Sequence, residues 1–130
     1  MATQIVILNG DYILVDNSYN ISWADKGKNW VDAWCPNTVH AVIWNNLIGP
    51  NEIQNKDAST GMMTNNTNLS ATSDAVGTTT VANLLTWAET RKGQIEQAKT
   101  DLATAIAADE TNSTNLAAGK TWIDYDSNYS

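Results

Sequence analysis

The sequence predicts an α+β fold: a small N-terminal antiparallel β domain, an Asn/Thr-rich linker and a long C-terminal α-helix. Three observations predict it. Two β-rich apolar runs, residues 5–8 and 12–15, flank Asn9-Gly10. A later run, "TVHAVIW", alternates apolar side chains from one face to the other. From Thr80 onward the apolar spacing changes to threes and fours, the period of a helix. At 130 residues with 42% apolar composition, the chain has room for one modest core, or a small domain and an appendage.

Asn-Gly is the favoured centre of a two-residue type I′ turn, because both central positions need φ > 0, so "QIVILNGDYILVD" reads as a hairpin. "YNISW" continues it as a third strand up to the polar "ADKGKN". "WVDAWCP" fits either a strand or a helical turn. Pro36, which lacks an amide hydrogen and holds Cys35 extended, puts a break there. In "TVHAVIW" simple alternation places Val39, Ala41 and Ile43 on one face and His40, Val42 and Trp44 on the other. Turn residues around Gly49-Pro50 lead to a short strand near residues 52–54. The β domain is thus expected over residues 1–57, followed by a polar linker or loop over 58–79.

Residues 80–109 read as one helix, about 43 Å long over its core at 1.5 Å per residue. Hydroxyls at residues 78–80 offer an N-cap, and "DETNST" ends the pattern. Leu84, Ala88, Arg91, Ile95, Ala98, Leu102 and Ala105 form a heptad seam, the expected interface with copies of itself or a partner helix. The alanines make the seam thin. Arg91 suits a polar layer between chains better than a sealed core, and Gly93 makes the helix depend on a packing partner. The tail, residues 110–130, has alternating aromatics and acids that suit a final strand or a docked arm.

Charge excludes several functions. With a net charge of −7 and scattered Lys and Arg, the chain lacks the clustered cations that nucleic acid or an anionic membrane surface requires. No apolar run approaches a membrane span, and no secretory signal is visible at the start. A single cysteine forms no disulfide within the chain. Charged residues amount to only 16%, and Asn and Thr take their place on the surface.

No constellation points to catalysis. Cys35 and His40 lie five apart with Pro36 between them, and no third group is evident to orient a base. Zinc would need three or four close-spaced ligands. "DNSYN" and "DYDSN" lack the glycine and distal glutamate of an EF-hand loop. Asp11, Asp16, Asp25, Asp32, Glu52 and Asp57 are dispersed through turns, where Asp is locally favoured. No cofactor and no enzymatic activity are therefore expected. Of the six tryptophans, Trp23 and Trp44 fall in strand-like runs and are expected in the core. Trp30 and Trp34, in a polar stretch, are candidates for stacking on a sugar or a partner.

Pro36, Val39, His40, Ala41, Val42 and Trp44 together spell "P-x-x-V-H-A-V-x-W". With the hairpin before it and "GPNEIQNK" after it, this segment resembles small proteins encoded among the tail genes of tailed bacteriophages. "LLTWAETRK" resembles the start of their helical segment. The resemblance implies a structural or accessory protein of the phage tail, made in the host cytoplasm and residing in the virion near tail fibres or baseplate. It brings no catalytic residues. A fibre-assembly chaperone absent from the mature particle, and a Trp-based carbohydrate-binding module, are the rival expectations.

Overall fold

The computed structural model describes residues 3–28 and 35–129. It is an α+β fold, with an N-terminal antiparallel sheet of six strands followed by a long helix and a short one. The strands are β1 (Gln4–Leu8), β2 (Tyr12–Val15), β3 (Tyr19–Ser22), β4 (Val39–Asn45), β5 (Glu52–Asn55) and β6 (Thr67–Asn68), in spatial order β3-β2-β1-β4-β5-β6. A small hairpin, β7 (Ala75–Val76) and β8 (Thr79–Thr80), precedes α1 (Val81–Asn112), and α2 (Trp122–Asp126) follows. The chain divides into two compact units, Met1–Glu89 and Thr90–Ser130. Between them they contain all of α1, which begins in the first and continues into the second.

Alternation builds the first unit's core. The pairings Ile13↔Ile21, Ile7↔Ile13, Ile7↔Val42 and Val42↔Ile53 align five aliphatic side chains in one row across five strands. Ile5, Val15 and Trp44 form the next row, and all eight residues are buried. Leu69, Val76, Val81, Leu84, Leu85, Trp87 and Ala88 are also buried in this unit. Trp87 was not among the expected core residues; its indole N–H donates to the Lys28 carbonyl at 2.6 Å. Trp44 is core as expected. Trp23 is not: it starts a 3₁₀ turn (Trp23–Gly27) capped by the Ser22 hydroxyl and is half-buried, with the Lys26 ammonium 5.2 Å from its ring.

Two local expectations are corrected. The loop between β1 and β2 holds three residues, because Leu8 pairs with Tyr12, and only Gly10 is left-handed, at φ +83°. Asn9 is kept out of that region by β4. Its N–H donates to the His40 carbonyl at 3.0 Å, and its side-chain amide to the Val39 carbonyl at 2.8 Å and the Pro36 carbonyl at 3.2 Å. Successive positive φ values, the mark of a type I′ turn, occur instead at Asp16-Asn17 and Asn46-Leu47.

β4 also departs from simple alternation. Its pairing with β5 slips between Val39 and Ala41, so His40 is the extra residue of a β-bulge. A bulge shifts everything on one side of it to the opposite face. Val39, paired with Asn55, therefore joins the Val42 and Trp44 face rather than that of Ile43.

Residues 58–79 contain regular structure. Lys56 bridges Met63, β6 pairs with β5, and β7 and β8 form the hairpin that leads into α1. Asn/Thr chemistry supports these turns: the Asn55 amide donates to the Asn65 carbonyl and the Thr67 hydroxyl, both at 2.9 Å. Asp57 accepts from the Ser59 and Thr60 N–H groups, and Asp74 from those of Ser70 and Ala71; these bonds lower both carboxyl pKa values. The Thr80 hydroxyl accepts from Asn83 N–H at 3.2 Å, providing the expected N-terminal cap of α1.

Candidate functional site

The seam of α1 is occupied by this chain's own side chains over part of its length. Leu84 and Ala88 are buried in the first unit, while Arg91, Ile95 and Ala98 are buried further along. Leu102 and Ala105 are half-buried, and the neighbouring Ile106 is 45% exposed. Arg91 is 1% exposed, and its guanidinium forks onto Asp126 of α2 through two 2.7 Å hydrogen bonds. Such a two-pronged, charge-assisted contact fixes both groups in one geometry. The polar layer expected between chains is thus provided within the second unit.

Further ties fasten the tail to α1. The Tyr129 hydroxyl donates to Asp101 at 2.6 Å, which lowers the Asp101 pKa and raises that of Tyr129. The Lys99 ammonium lies 5.8 Å from the Trp122 ring centre. Asp109 accepts from the Thr114 hydroxyl at 2.6 Å and from the Leu116 and Ala117 N–H groups at 2.9 and 2.7 Å, and its pKa is lowered accordingly.

Helical geometry shows what these ties enclose. At about 100° per residue, Arg91, Ile95, Ala98, Leu102, Ala105 and Asp109 lie within about 40° of one line along α1. Lys99 and Asp101 stand at about 80° on either side of that line. A segment tied at both ends of a line and on both its flanks has to cross it. Residues 113–129 are therefore a strap over the stripe that carries Ile95 and Ala98.

Within the strap, the tail is helical where a strand was one expectation. Thr121 N–H donates to the Asp124 carboxylate at 2.8 Å, a contact that starts α2. The "T-x-x-D" spacing is the sequence signal for that start. Asp126, Tyr129, Asp101 and Asp109 were absent from the sequence-derived site. The one clue was Arg91 itself, a seam cation that must find a counter-ion if buried.

The remaining candidates do not converge. Trp30 and Trp34 lie outside the described residues. Burial pushes the Cys35 thiol up to about 11, so it is protonated at neutral pH and a poor nucleophile. His40 serves the fold through its carbonyl at the bulge. Among the described residues no cluster of three His, Cys, Asp or Glu could hold a metal ion, and no helix is long and apolar enough to cross a membrane.

The arrangement defines an α+β protein with a buried ion pair between its long helix and its tail. Comparison with protein-family models, with curated proteins and with solved structures finds no match.

Proposed function

We propose that this chain is a structural or accessory protein of a phage tail, which attaches to, caps or decorates a tail fibre or the baseplate through protein–protein contacts. The observation that carries the proposal is how the "P-x-x-V-H-A-V-x-W" residues are used. All six belong to β4 or the turn entering it, and each has an architectural task. Ala41, Val42 and Trp44 are buried, Val39 is turned inward by the bulge, and the Pro36, Val39 and His40 carbonyls receive Asn9. A segment that resembles tail proteins and consists of framework residues suits a building element. The acidic balance suits contact with protein rather than with nucleic acid. In this reading α1 carries association, among copies of the chain or with a fibre.

Mass spectrometry of purified tailed particles, produced from the genome that encodes the chain, tests the proposal. A structural component appears at a fixed integer ratio to the tail proteins. Absence from mature particles, with presence in assembly intermediates, favours a fibre-assembly chaperone. Absence from both ends the tail reading.

A further inference from the structure

We propose that the α1 stripe is a docking surface for a second copy of this chain, and that the docked element is the second copy's strap, residues 113–129, exchanged for the first's. The inference deepens the reading of α1 as the element of self-association and rests on it. Its first support is complementarity. Everything that fits the stripe is already present in the strap: a carboxylate fork for Arg91, a hydroxyl for Asp101 and an aromatic ring for Lys99. A second copy presents the same groups, so exchange needs no new contact, which is what makes swapping an accessible route to a dimer.

The second support is the connection. α1 ends at Asn112, and Ser113 takes φ +53°, turning the chain back toward its own helix. A non-glycine residue occupies this left-handed region reluctantly. If Ser113 adopts an ordinary helical φ, α1 continues and the strap is carried away from its own stripe. The closed turn is pinned by Asp109 through Thr114, Leu116 and Ala117, and water can compete for the exposed Thr114 and Leu116 bonds. The buried Arg91–Asp126 pair, in contrast, selects what rests on the stripe, since a strap without the carboxylate leaves the guanidinium buried without its fork.

Charge reversal tests the exchange. R91D and D126R each set like charges against one another within a chain. Mixed, the two variants satisfy both pairs only by trading straps. Native mass spectrometry and sedimentation should show a 1:1 heterodimer in the mixture, tighter by about tenfold or more than either variant's self-association. The double variant R91D/D126R, in which the reversed pair can close within one chain, should behave as the unsubstituted protein. A mixture no more associated than its components overturns the exchange. If the components nevertheless bind a tail protein, α1 association survives and only the identity of the partner is wrong. If single reversals precipitate alone and together, Ser113 decides. Ser113→Val, which disfavours the turned-back form, should raise the dimer fraction, and Ser113→Gly should lower it. Equal dissociation constants for both and for the unsubstituted chain overturn the proposal.

Discussion

In the first unit, Ile21, Ile13, Ile7, Val42 and Ile53 stand in one row across five strands. In the second, residues 113–129 are fastened to α1 at Arg91, Lys99, Asp101 and Asp109 by an ion pair, a cation–ring contact and hydrogen bonds. Burial of apolar surface is non-directional and shared by many residues, so the sheet tolerates small shifts and loses stability by degrees. A buried ion pair is directional, and once one partner is gone the other becomes a liability. The sheet should therefore fail gradually and as a body, the strap locally and at once.

Trp44→Ala should break the first half of that comparison most severely. Trp44 is 1% exposed and pairs with Ile5 at the centre of the sheet. Removing a buried aromatic side chain costs about 3–5 kcal/mol through lost transfer energy and the cavity left behind. Chemical denaturation should show the loss as a lower midpoint for the sheet signal.

Asp126→Ala should come next, at about 3 kcal/mol, the lower end of the range for breaking a buried pair. The strap can lift and let water reach Arg91, which caps the cost. Limited proteolysis should cut residues 113–129 much faster while the sheet's unfolding midpoint stays put. Uniform loss of both would mean that the sheet and the strap unfold together. The double variant Arg91→Met with Asp126→Leu should recover most of the loss, since an apolar pair of similar size replaces a buried ion pair at little net cost.

Gly10→Val should cost about 2 kcal/mol, because φ +83° is sterically poor for a β-branched residue even though open space surrounds the position. The correction to the turn sharpens this expectation. With Asn9 held by β4, strain falls on Gly10 alone, so Asn9→Ala should weaken the bulge contact without demanding another turn. An unchanged melting temperature for Gly10→Val would require the β1–β2 loop to rearrange.

The same contrast decides what was legible in the sequence. The α+β class, the first three strands, β4 and the helix from residue 81 were legible because burial in sheets and helices leaves a period. The side-chain face of Val39 was not: a bulge inserts one residue without any mark in the apolar pattern. β6, β7 and β8 are two residues each, too short to carry a period. That the tail could dock as an arm was legible in its aromatics and acids, but where it docks was not, for a related reason. Its ties join residues 35 and 28 positions apart, Arg91 to Asp126 and Asp101 to Tyr129, and no spacing rule links polar groups at such separations. The seam was recognised as a seam, but the sequence could not show that its own tail lies across it.

The smallest predicted effect isolates one tie. Tyr129 donates to Asp101, and the bond holds the Asp101 carboxyl below its ordinary pKa and the Tyr129 phenol above its own. A depressed acid contributes stability that is complete above the unfolded value, about 3.9 for Asp, and is lost as pH falls through the folded value. A raised phenol contributes stability that is complete below about 10 and is lost as pH rises through the folded value. The tie should therefore hold between about pH 4 and pH 10 and release on either side. On the acid side Asp109 shares the trend, since its folded pKa is lowered as well, so that limb cannot be assigned to one group. On the alkaline side a substitution separates Tyr129 from the other strap contacts. Tyr129→Phe should leave the sheet and the Arg91–Asp126 pair intact, loosen the last turn of the strap at neutral pH, and remove the part of the alkaline release that Tyr129 supplies. The Trp122 indole signal, followed by NMR from pH 7 to beyond the phenol's titration in both chains, should differ between them only in that limb. Superimposable curves would show that the strap is held without Tyr129, leaving the buried ion pair and the Asp109 turn as its fastenings.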